Sequence, residues 1–232
     1  MAGQILPVAG VWLLLWIAMV AWADWRLANQ NVARLKKKTA KALFFKRPGS
    51  VTFWTLEWLF REKGLTLLIC KSGAALFSIA TLLYYGTGKY DIRLPAVGLS
   101  FSVLMNIGIS YEIYQWETSV WQWGRSLTVS FLKRVANLVL LHFLVLLPDF
   151  LLIARYGSDL LTFADLLHLA LLQLSFLLWY HSTLYRKDRL LEDTLGMVFP
   201  VFILLTLLIL YKIPLPALYF LLLSYSGWRY SR

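Results

Sequence analysis

The residues whose chemistry stands out are the few ionisable ones set in apolar surroundings. Asp149, Asp165, His168 and His142 fall within or at the ends of two long hydrophobic runs that follow one another closely. Ionisable groups inside a bilayer are costly and mark functional sites by default. Asp149 directly follows Pro148, His142 lies two turns before it, and Asp165 lies one turn before His168. If the two runs are antiparallel neighbours, Asp149, Asp165 and His168 can meet. They would then form a proton or cation relay or a polar substrate vestibule; the plainer alternative is an interhelical clasp near wet headgroups. His181, beside Trp179, Tyr180 and Tyr185, reads as a residue of the membrane interface. Lys71 reads as a side chain that snorkels to the headgroups, and Asn106 and Gln173 as interhelical hydrogen-bonding groups. Asp188, Glu192 and Asp193 lie beside Arg186, Lys187 and Arg189, which most simply describes a solvated loop.

Other chemistry finds little support. The stretch Gly86-Thr87-Gly88-Lys89 lacks the first glycine and the Ser/Thr that a phosphate-cradling P-loop requires. There is no His-Glu-x-x-His pair, and no His/Glu cluster has metal-ligand spacing. The single cysteine, Cys70, excludes an internal disulfide and reads as a small packing residue. The reading is of a chain without enzyme activity, metal or cofactor of its own.

The elements that must hold these residues follow from composition. Of 232 residues 59% are hydrophobic and 15% charged, against about 45–50% and about 25% in soluble domains. A span needs about 20 mostly apolar residues. Seven stretches qualify or nearly do: roughly 5–23, 66–86, 94–111, 135–154, 160–184, 196–211 and 213–228. Pro214 and Pro216 separate the last two, which are short enough to form a hairpin instead. The expected fold is an all-α, polytopic transmembrane bundle of about seven spans. Lys and Arg concentrate in 25–64, after the third and fifth spans, and at the C-terminus. The positive-inside rule places those segments in the cytoplasm, with the N-terminus outside and the C-terminus inside. Residues 1–23 read as an N-terminal anchor, without the positive n-region of a cleaved signal. Residues 24–49 read as a basic linker on lipid headgroups, and 50–232 as a six-span domain. The net charge of +11 fits anionic lipid. Nucleic-acid binding is disfavoured, since the basic run lacks interleaved aromatics.

Two polar intervals look ordered. After Pro48-Gly49, Ser50 is placed to cap a short Trp-rich helix through Lys63, lying in the membrane plane as an elbow. From Tyr111 the text YEIYQWETSVWQWGRSLTVSFLKR is too polar to cross lipid. Trp116, Val120 and Trp123 recur at i, i+4 and i+7, and Gly124 breaks the pattern, so a helix–break–helix is expected over 112–134.

Glu112, Glu117, the run Arg125-Ser126-Leu127-Thr128-Val129-Ser130, Lys133-Arg134 and Leu147-Pro148 give this stretch its likeness. It resembles the permease subunits of ABC-2 type ABC transporters, in which a cytoplasmic coupling helix follows the second core span. The order of elbow, two spans, coupling segment and four more spans matches as well. Thr128 stands where the family most often has proline, the last outer loop is short, and the N-terminal span is additional. The resemblance implies an ATP-driven exporter in a bacterial inner membrane. It implies a dimer of permease chains and a cytoplasmic ATPase subunit that binds ATP and Mg. Glu112, Trp116, Glu117, Trp123, Arg125, Ser126 and Leu127 would be the contact with that ATPase. The alternatives are a membrane enzyme acting on lipid or polyprenyl substrates, and a proton-coupled carrier.

Overall fold

The computed structural model describes residues 50–120, 130–185 and 191–230. The expected anchor 1–23, the linker 24–49, the coupling residues Trp123, Arg125, Ser126 and Leu127, and the charged group Arg186–Arg189 lie outside the described residues. Among those described, the chain is all-helical. The helices are α1 (Val51–Glu62), α2 (Gly64–Tyr85), α3 (Arg93–Gln115), α4 (Phe131–Gly157), α5 (Phe163–Leu184), α6 (Leu191–Leu210) and α7 (Leu215–Tyr230).

Five of these are long and apolar enough to cross a membrane: α2, α3 with its extension to Ser119, α4, α5 and residues Asp193–Leu210 of α6. At roughly 1.5 Å per residue, the 22 residues of α2 span about 33 Å, close to a hydrocarbon core. Helix α7, with 16 residues, is shorter than such a crossing. Five long apolar helices are consistent with an integral membrane protein.

Local chemistry sets the helix ends. Ser50 Oγ accepts the Phe53 N–H at 3.2 Å, so the cap expected after Pro48-Gly49 forms. Thr162 and Asp165 form a capping box at the start of α5. The Thr162 hydroxyl accepts the Asp165 N–H, and the Asp165 carboxylate accepts the Thr162 N–H. The breaker Lys212-Ile213-Pro214 turns the chain between α6 and α7, with Lys212 at φ 64°.

Helix α3 is the most buried of the long helices and packs against α2, α5 and α6. Its contact with α2 is close because small residues line it. A Cβ at Gly98 would fall 2.2–2.8 Å from three side-chain atoms of Thr81, and one at Gly108 would fall 3.1 Å from Cys70 Sγ. Any larger side chain at Gly98 would force the two backbones apart. Cys70 is thus a packing residue, as its apolar setting suggests. Leu82, Leu99, Leu146, Leu169, Phe176 and Tyr180 are fully or almost fully buried in the main apolar core. The outward face of α2, with Leu65, Ile69 and Leu76 more than half exposed, is suited to lipid.

The helix–break–helix expected over 112–134 starts as a continuation of the span: α3 runs through Gln115 and passes directly into a π-helical turn, Trp116–Val120. The break expected at Gly124 lies outside the described residues. Glu112, Trp116 and Glu117 are therefore carried on the end of the span itself. A π turn widens the helix locally and often accompanies a functional position.

Candidate functional site

Helix α3 presents a polar stripe. Ser102, Asn106 and Ser110 recur at i and i+4 and are all buried, so they lie one above another on one face. Each reaches a different neighbour. Gln173 of α5 donates to Ser102 Oγ at 2.9 Å and to the Leu99 carbonyl at 3.2 Å. Asn106 donates from Nδ2 to Asp149 Oδ2 of α4 at 3.1 Å. Both amides thus make the interhelical bonds expected of them.

Asp149 is 1% exposed. Its charge is met by Lys71 of α2, whose Nζ lies 2.6 Å from Oδ2. The snorkelling expected for Lys71 does not occur. A carboxylate fixed in the bundle holds the ammonium more strongly than distant headgroups, because Coulomb attraction grows as the dielectric falls. Asp149 Oδ1 and Asn106 Oδ1 are buried and receive no hydrogen bond within the described residues. This part of the bundle therefore keeps acceptor capacity beside a closed ion pair.

The expected meeting of Asp149 with Asp165 and His168 does not take place. Asp165 serves the capping box at the start of α5. His168 stacks on Tyr219 of α7, with ring centroids 6.0 Å apart and Nδ1 3.4 Å from the hydroxyl. Asp165 is drawn to the N–H groups of its own helix terminus, which leaves Asp149 to Lys71.

One turn along α3, Ser110 Oγ lies 3.2 Å from His142 Nε2 of α4 and 3.0 Å from His181 Nδ1 of α5. The imidazole rings stand edge to face, 4.6 Å apart. His142 Nδ1 is 2.9 Å from the Leu138 carbonyl. His181 is fully buried in the last turn of α5, so its ring is turned into the bundle. Its Nε2 lies 3.0 Å from the Tyr185 hydroxyl. That hydroxyl also bonds the Glu117 carboxylate, and Tyr230 of α7 donates to it at 3.3 Å. Burial, and then the neighbouring Glu117 carboxylate, hold the Tyr185 phenol well above its ordinary range, so it stays protonated.

The polar residues near the end of α3 are bound within the chain. Glu112 pairs with Lys63 at the end of α1, at 2.9 Å. Trp116 is 6% exposed and packs on Trp58 of α1, with centroids 6.3 Å apart. Glu117 reaches across to Tyr185. Of the seven contact residues the resemblance implied, these three brace the π turn against α1 and against the C-terminal ends of α5 and α7.

Reading single residues missed Ser110, Tyr185 and the role of Lys71. The i, i+4 repeat Ser102-Asn106-Ser110 and the Thr162-x-x-Asp165 signature were available as signals. The partner of Lys71, 78 residues away, had none. The fold and site define an α-helical protein suited to a bilayer, with a polar column between α3, α4 and α5. No protein family model, curated protein or solved structure matches the chain.

Proposed function

We propose that this chain is the permease subunit of an ATP-driven ABC exporter of the ABC-2 type, with seven spans of which the 16-residue α7 is the shortest, N-terminus outside and C-terminus in the cytoplasm. In this reading α1 is the elbow and residues 112–134 are the coupling segment. The observation that carries it is the bracing of the π turn. Lys63–Glu112 and Trp58–Trp116 tie it to α1, and Glu117–Tyr185–Tyr230 ties it to α5 and α7. A segment so held passes a push at its base to several helices at once, as a rigid lever does. The sequence order of helices, with a polar segment after the second long one, supports the same reading. A separate cytoplasmic ATPase would bind ATP and Mg and dock on the coupling segment, with Trp123, Arg125, Ser126 and Leu127 as contacts beside the internally braced Glu112, Trp116 and Glu117, and a second permease chain would complete the pore.

The test is co-purification with a candidate ABC-type ATPase subunit, with ATP hydrolysis and export measured in proteoliposomes. A complex forms, and Trp58→Ala or Trp116→Ala lowers export about tenfold or more, with much less effect on complex formation. No complex, together with unchanged export in both variants, would overturn the proposal. A proton-coupled carrier is the second reading, favoured by the Ser110 bridge between two buried histidines. Export that stops with an uncoupler but continues without ATP would select it.

A further inference from the structure

The contacts around Ser110 fix where hydrogens must lie. A carbonyl only accepts, so His142 Nδ1 carries the hydrogen that faces Leu138. Neutral His142 then offers a lone pair at Nε2, and Ser110 donates to it. Ser110 has one hydrogen, so it accepts from His181 Nδ1. Neutral His181 in turn offers a lone pair at Nε2 to Tyr185. Tyr185 also has one hydrogen, yet it faces both that nitrogen and the Glu117 carboxylate. With both imidazoles neutral and Glu117 ionised, the chain is one hydrogen short. Further donors to Glu117 do not change this, because the Tyr185–Glu117 contact itself needs a hydrogen between two oxygens. Tyr230 donates to the remaining lone pair of Tyr185 in either arrangement.

We propose that the chain Glu117–Tyr185–His181–Ser110–His142 is a binding site for one proton, shared between the end of α3 and the interior of the bundle. The proton resides on Glu117, which then donates to Tyr185 while Tyr185 donates to His181. Alternatively it resides on His181 Nε2, which donates to Tyr185 while Tyr185 donates to Glu117. Transfer inward is balanced at each atom. The Glu117 hydrogen passes to the Tyr185 oxygen, and the Tyr185 hydrogen passes to His181 Nε2. The His181 Nδ1 hydrogen passes to Ser110, and the Ser110 hydrogen passes to His142 Nε2. Glu117 ends as carboxylate and His142 as imidazolium. Among the described residues the titratable groups facing this chain include Tyr114 on α3, whose ring stands against Tyr185 at 5.3 Å, and Tyr230 on α7. The site belongs to the bundle and rests on neither transport reading.

The test is a pH titration of the whole chain in lipid nanodiscs between about pH 5 and pH 9. Imidazole nitrogen shifts report His142 and His181, and the infrared carboxylic-acid band reports Glu117. At neutral pH one bound proton is expected, and its loss on raising the pH should register at Glu117 and His181 with a common midpoint. In Glu117→Gln the amide supplies the missing hydrogen, so His181 becomes the neutral Nδ1–H tautomer and the carboxylic-acid band disappears. In Tyr185→Phe, which keeps the ring, the two residues titrate separately. Neutral histidines together with ionised Glu117 at neutral pH in the unaltered chain would overturn the proposal. So would independent midpoints in the unaltered chain.

Discussion

Two polar regions sit on one face of α3, a single turn apart, and they are built in opposite ways. At Asn106 the contact is a closed ion pair: Lys71 and Asp149 each neutralise the other, and the donor and acceptor roles are fixed by charge. At Ser110 the contact is a row of groups that can each give or take a hydrogen, running from His142 to Glu117 at the helix end. The first region holds α2 against α4. The second joins α3, α4, α5 and α7, and its hydrogen-bond directions can reverse without moving a heavy atom. Buried charge is a rigid device because either partner alone is intolerable. Hydroxyls and imidazoles are a switchable one because each carries both a donor and an acceptor.

The largest break in this comparison should come from the ion pair. Asp149→Leu leaves the Lys71 ammonium buried without its partner, and a loss of about 3–5 kcal/mol is expected. The double variant Lys71→Met with Asp149→Leu should recover most of it, since the uncompensated charge has gone. Reversible unfolding in mixed micelles measures both. A single variant within error of the unaltered protein would show that the pair is not closed as described.

Ser110→Ala sharpens the contrast from the other side. It leaves two imidazole nitrogens facing a methyl group, and a loss of about 1–3 kcal/mol is expected. Unlike the ion-pair variants, it should also decouple the titrations of His142 and His181. Nitrogen shifts of the two rings check this.

The smallest effect belongs to an exposed ion pair at the other end of α2 and α3. There Asp91 accepts from the Ile92 N–H at 2.6 Å and from Arg93 Nε at 2.9 Å. The Ile92 N–H, and then Arg93, hold the Asp91 carboxyl below its usual range. A depressed carboxyl pKa contributes stability above the unfolded value, and that contribution is lost as the pH falls through the folded one. Asp91 should therefore titrate at a lower pH than a free aspartate. Its removal by Asp91→Asn should change stability little at neutral pH, because the pair is solvated. Carboxyl carbon shifts at low pH give the first value, and unfolding gives the second.

How far the site could be read in advance differs by residue. Asp149 and His142 stood out because polar atoms in apolar runs are expensive, and both are indeed in the polar column. Asp165 and His168 stood out for the same reason, yet serve a helix cap and a ring stack. Lys71 reads in sequence as a side chain that snorkels, since its flexible stem can reach headgroups. Nothing local distinguished it from one that meets a carboxylate on another helix.

The sequence by itself determined where the five long apolar helices of the described residues lie, because length and hydropathy answer directly to the thickness of a bilayer. It also determined the Ser50 cap and the turn at Lys212–Pro214, which depend on residues only a few positions apart. Only the tertiary structure decided that Asp149 takes Lys71, that Ser110 joins two histidines, and that α3 runs unbroken into a π turn. Helices apolar on every side carry no mark of their rotation, and which polar atoms meet is a property of that rotation.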